Sequence, residues 1–152
     1  MLLWRVLFLV MSPVLMVANS AAAEKTADVQ MFERLFSAWT NAFNHHDLKE
    51  SCKLFSINVT ADYQGAPTKN YASICNGFKK IFHEKRHYEY HFKLHEVYQA
   101  HDWASVRITW FLEISQHGKV IAKTQDEGLD VFQRNNKGDW KIVNYLAYPV
   151  KE

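Results

Sequence analysis

The chain has 152 residues, of which 48% are hydrophobic, 14% aromatic and 22% charged, with five glycines and three prolines. Those figures give one domain room for a real core and exclude a disordered segment, a collagen-like repeat or a linker. A formal net charge of +2 without any basic run excludes a dedicated nucleic-acid binder.

Residues 1–23 read as a secretory signal. Arg5 supplies the positive start, Val6 to Val17 an apolar stretch broken only by Ser12 and Pro13, and Ala21-Ala22-Ala23 a small-residue cleavage pattern. The apolar stretch is too short to span about 30 Å of hydrocarbon. The expectation is therefore a cleaved leader and a secreted or periplasmic domain over residues 24–152, with no membrane attachment. Losing Arg5 leaves a net charge of +1. Export also permits a disulfide between Cys52 and Cys75, both on predicted helices. Two buried thiols are the alternative, and two cysteines cannot make a zinc site.

Val29, Phe32, Leu35, Phe36, Trp39 and Phe43 recur at helical spacing and predict an amphipathic helix over 28–45. Asp47, with Glu50 three residues on, predicts the cap of a shorter helix through Leu48, Cys52 and Phe55. Val59 to Tyr63 is a short β-prone run closed by Gly65-Ala66-Pro67, and residues 70–85 return to helical period. From Tyr88 the period is two. Strands are expected over Tyr88–His95, Ala104–Ile114, Val120–Arg134 and Trp140–Tyr148, with turns at His117-Gly118 and Asn135–Gly138. Helices followed by an antiparallel meander make the class α+β.

Three stretches carry a family resemblance: Trp39…His46-Asp47-Leu48, Ala104-x5-Trp110, and Asp130-Val131-Phe132-Gln133-Arg134-x3-Gly138-Asp139-Trp140-Lys141-Ile142-Val143. Together they resemble the NTF2-like superfamily, in particular its SnoaL-like and ketosteroid-isomerase-like branches. The resemblance implies a cone-shaped roll, three helices packed on a curved, mainly antiparallel sheet around an apolar pocket. It specifies no activity, because such domains include isomerases, dehydratases and non-enzymatic binding modules. Ketosteroid isomerases use a carboxylate base, a Tyr donor and a protonated Asp donor. Aligned on Asp47 and Gly138, these positions fall on Tyr63, Trp39 and Asp130. One of the three is kept, so steroid isomerisation of the known type is not expected.

Asp130 is the leading candidate catalytic group, as acid or oxyanion donor. Tyr63 is its expected companion, a phenol beside a buried carboxyl that could donate a hydrogen bond or shuttle a proton. Asp126 shares the strand face of Asp130 if no bulge intervenes. Trp39, Tyr90, Trp110, Tyr145 and Tyr148 complete the expected lining, although plain core packing accounts for each aromatic as readily. No cofactor is implied. The eight histidines make no metal site on spacing, since His91 and His95 lie about 13 Å apart along their strand. The sequon Asn58-Val59-Thr60 falls beside a predicted strand and is discounted.

The outer strand faces, with Ser105, Arg107, Thr109, Phe111 and Glu113, suit either solvated sheet or a two-fold homodimer with Arg107 and Glu113 paired across the axis. Two functional classes follow. One is an exported domain holding a small, largely apolar molecule, with cofactor-free proton transfer as its enzymatic form. The other is a protein-interaction module with a filled pocket. A cavity above about 300 Å³ with Asp130 accessible favours the first.

Overall fold

The computed structural model describes residues 17–150, with side chains from 28 onward. Its elements are α1 (Val17–Asn44), α2 (Leu48–Lys53), β1 (Phe55–Tyr63), α3 (Tyr71–Phe82), β2 (His87–Ala100), β3 (Trp103–Gln116), β4 (Lys119–Arg134) and β5 (Trp140–Pro149). The expected leader lies largely outside the described residues; its last part, 17–23, continues α1 as helix. No helix among the described residues is long and apolar enough to cross a membrane.

The strands form one sheet in the order β1-β5-β4-β3-β2, parallel only between β1 and β5. The expected α+β roll is the one observed. Register breaks at Leu94/Glu96, Ile114/Ser115 and Val131/Phe132 interrupt the long ladders; such bulges bend and twist strands locally. His117 and Gly118 both take positive φ, 50° and 73°, as a two-residue hairpin turn requires.

The aromatic stripe of α1 packs on the inner sheet face. Phe32 and Phe36 have no exposed surface, and their rings lie 4.9 and 5.7 Å from Phe132. Each such burial is worth roughly 1.5–3 kcal/mol. The far end of α1 is tied to the free edge of β2, because Asn44 donates to the Tyr90 carbonyl at 3.0 Å and accepts from the Tyr90 N–H at 2.9 Å.

His46 terminates α1 in the left-handed region, at φ 59°. The Asp47 N–H reaches back to the Ala42 carbonyl and the His46 N–H to Phe43, a Schellman closure. Asp47 then caps α2 by accepting from the Glu50 N–H at 3.0 Å. The reciprocal half of the expected capping box is not made, for the Glu50 carboxylate pairs with Lys53 instead. The second helix is also shorter than expected, since Phe55 already belongs to β1.

Cys52 on α2 and Cys75 on α3 are joined, with Cα atoms 5.8 Å apart. A bridge closing a loop of this length is worth about 3 kcal/mol through the unfolded chain. The double variant Cys52→Ser/Cys75→Ser is expected to lower the denaturation free energy by that amount, read from urea melts. An unchanged midpoint would show that α2 and α3 hold together without the bond.

Candidate functional site

Four aromatic side chains from separate elements converge under the sheet. Trp39 of α1, Tyr90 of β2 and Trp110 of β3 have ring centroids 5.0–5.8 Å apart, and Tyr145 of β5 joins them in lining a cavity of about 370 Å³. Leu54, Phe55, Ile74 and Phe78 close it from the α2–α3 side. It is large enough for a small organic ligand and predominantly apolar in its walls.

Small residues interrupt the inner face of the sheet next to the cavity. Tyr63, Ala147, Gly128 and Ile108 are successive partners across β1, β5, β4 and β3. At Gly128 a Cβ would stand 3.2 Å from Ile108 Cγ2, tighter than an ordinary contact, and 3.6 Å from Trp110 Cδ1, so it is Ile108 that crowds the place a side chain would need.

Asp126 and Asp130 flank Gly128 on the inner face of β4, and both line the cavity. Asp130 is fully buried, and neither of its carboxyl oxygens has a hydrogen-bond partner in the protein. Burial alone pushes its pKa up to about 8, so the group is a neutral acid near pH 7. Asp126 is half-buried and is also raised, by desolvation, against the opposing effect of a hydrogen bond from Tyr63. That bond runs from Tyr63 Oη to Asp126 Oδ1 at 2.8 Å. Desolvation, then this hydrogen bond, pushes the Tyr63 phenol to about 12. Burial raises Tyr90 and Tyr145 as well, the latter assisted by the neighbouring Asp130.

Several expectations change in this geometry. Tyr63, in register across β5 with Gly128 between the two carboxyls, partners Asp126 and not Asp130. Trp39 lines the cavity with its ring alone, since its indole N–H is already donated to the Ser51 carbonyl at 2.9 Å. Tyr148 is no lining residue. It is 52% exposed on the outer face, because Ala147, one residue earlier, takes the inward position of β5. The cavity exceeds the expected threshold, yet Asp130 lies in its wall without surface open to water.

Lys69, Ser73 and Thr124 also line the cavity and were not anticipated. Thr124 could have been read from its two-residue spacing to Asp126. Lys69 could not, because it arrives through a loop that folds back to pair with Ala61 at 2.8 and 2.9 Å.

On the outer face, Arg107 pairs with Glu96 at 3.3 Å and Lys123 with Glu113 at 2.7 Å, so both charges expected to pair across a dimer axis have partners within the chain. Thr109 is buried there between His95 and Glu127, donating its one hydroxyl hydrogen to Glu127 at 2.7 Å and accepting from His95 Nε2 at 2.6 Å.

Solved structures share this architecture. A ketosteroid isomerase-like protein from Erwinia carotovora atroseptica superposes with a TM-score of 0.65 at 19% identity, over 79% of this chain and 94% of that one. An NTF2-like protein with a cystatin-like fold from Novosphingobium aromaticivorans gives 0.69 at 14%, over 92% and 93%. The chain has the NTF2-like fold. A candidate dehydratase from the NTF2-like family of Streptomyces avermitilis gives 0.66 at 17%, over 88% and 99%. No protein-family model matches the chain, and no curated protein matches it in sequence.

The raised pKa of Asp130 has a stability consequence with a defined sign. The folded protein keeps this proton to about pH 8, whereas the unfolded chain releases it near its ordinary value of 3.8. Between those values the folded state binds more protons, so the contribution is full at low pH and is lost as pH rises to about 8. Denaturation midpoints across this range are expected to fall for the native protein and to fall less steeply for Asp130→Asn. Parallel profiles would show that Asp130 ionises normally.

Proposed function

We propose that this chain is an exported small-molecule-binding domain of the SnoaL-like or ketosteroid-isomerase-like kind, and that its enzymatic form is cofactor-free proton transfer beside a carbonyl group. The observation that carries this reading is the unpartnered, neutral carboxyl of Asp130 in the wall of a 370 Å³ aromatic cavity. A buried polar group without a partner costs free energy that a ligand can recover. Export rests on the leader-like start of the sequence, and the ligand's apolar character on the lining. The Erwinia protein, ketosteroid isomerase-like, and the Streptomyces candidate dehydratase are in keeping with this chemistry.

The two carboxyl groups suit different roles. Asp130, protonated, donates to a carbonyl oxygen and stabilises the enolate that forms on it. Asp126 carries the base that its neighbour Tyr63 cannot, and withdraws the adjacent C–H proton. Tyr63 holds that carboxylate in place and keeps its own proton.

An enolisable bicyclic ketone, 2-tetralone, tests this through deuterium exchange at the carbon beside its carbonyl, followed by NMR in deuterated buffer. Exchange is expected to fall about a hundredfold in Asp126→Asn and to be blocked in Ser73→Trp, which places an indole at the cavity wall. Exchange no faster with protein than without would end the enzymatic reading. Saturable binding of 2-tetralone that Ser73→Trp abolishes would leave the binding domain standing.

A second reading is favoured by one surface feature. Leu129 and Leu146 are direct cross-strand partners on the outer sheet face, 42% and 50% exposed, with Tyr148 and Phe111 exposed nearby. Uncovered apolar sheet of this kind suits association of two copies. The native chain is expected to sediment as a dimer and Leu129→Lys/Leu146→Lys as a monomer. A monomeric native chain at micromolar concentration would exclude this reading.

A further inference from the structure

The state of Asp130 says more about the ligand than that it carries a carbonyl group. A neutral carboxyl presents two complementary functions side by side, an O–H donor and a C=O acceptor. Both oxygens of Asp130 are without partners. A simple ketone satisfies only the donor and leaves the acceptor buried and unpaired, so part of the free energy a ligand can recover there stays unrecovered. No donor of the surrounding wall bonds to Asp130 in this structure. The Trp39 N–H is committed to Ser51, and the Tyr63 hydroxyl to Asp126. Tyr145, opposite Asp130 in register on β5, makes no hydrogen bond to it.

We propose that the pocket selects planar, neutral ring compounds bearing a cis-amide edge, an N–H beside a C=O as in a lactam, which pairs with both oxygens of Asp130 at once. The inference rests on the cavity being a ligand site, as argued above, and adds the chemical class of what enters it. The flat aromatic walls formed by Trp110, Tyr90 and Tyr145 suit a fused ring. The doubly hydrogen-bonded edge fixes the orientation of that ring, so its far side faces Asp126 and Tyr63. Because Asp130 has no surface open to water, pairing requires a small displacement of the lining, for which Tyr145 is the group in register.

Two probes of nearly identical shape separate the possibilities. 2-Quinolone carries the cis-amide edge; coumarin keeps the carbonyl but has a ring oxygen in place of the N–H. Titration calorimetry near pH 6 is expected to show 2-quinolone binding at least about tenfold more tightly than coumarin, because a site built to pair a polar edge rejects the analogue that lacks it. Asp130→Asn retains a donor and an acceptor and is expected to keep the preference; Asp130→Leu retains neither and is expected to lose it. Raising the pH through about 8 removes the donor from Asp130, so both probes lose the bond to their carbonyl oxygen and should bind the native protein more weakly, while their affinities for Asp130→Asn stay level.

Equal binding of the two probes, or a preference that survives in Asp130→Leu, overturns the paired-edge inference and leaves the ligand pocket intact. A preference lost in Asp130→Asn, with circular dichroism showing a folded chain, overturns it as well. Should Asp130→Leu fail to fold, the contrast in pH dependence between the native chain and Asp130→Asn still decides. Absence of binding by either probe at millimolar concentration overturns the inference together with the pocket reading on which it rests.

Discussion

The aromatic ridge of α1 must lie against the inner face of the sheet, and the rest of the fold is arranged around that contact. Phe32 and Phe36 close completely against Phe132, with Trp140 beside Phe32. Further along the helix, Trp39 meets Tyr90 and Trp110 and Phe43 meets Tyr90, with ring centroids 4.9–5.5 Å apart. The space left near Trp39 is the cavity, and the α2–α3 pair bridged by Cys52–Cys75 forms its remaining wall.

Within that space, polarity is scarce and unevenly compensated. Asp126 has a phenol to bind and partial access to solvent, whereas Asp130 has neither. Two carboxyls four residues apart on one strand face thereby acquire different protonation behaviour from their surroundings alone. Such a separation is the usual means by which one site holds both a proton donor and a proton acceptor near neutral pH. The same asymmetry makes Asp130 a selector, since a neutral acid without internal partners favours whatever presents matching polarity.

The outer face obeys opposite rules. Arg107 pairs with Glu96 and Lys123 with Glu113 across neighbouring strands, while Leu129, Leu146 and Tyr148 remain uncovered. Exposed ion pairs of this kind contribute little stability, so what distinguishes the face is its uncovered apolar surface.

Periodicity alone was sufficient for the helices, the long strands and the hairpin at His117-Gly118, because local spacing decides which side of an element is apolar. Family-like segments such as Asp130…Gly138-Asp139-Trp140 extended this to the cone, and the even spacing of Asp126 and Asp130 gave them a common face of β4, while which side of the sheet that face takes was left to the structure. The sequence by itself therefore determined the elements, their buried faces and the residues that could meet. Only the tertiary structure decided which of them do. Tyr63 turned to Asp126, the Trp39 N–H was taken by Ser51, Tyr148 faced outward, and Lys69 entered through a folded-back loop. Those outcomes depend on strand order, register and helix docking, contacts between residues far apart in the chain, about which the local period of hydrophobicity carries no information.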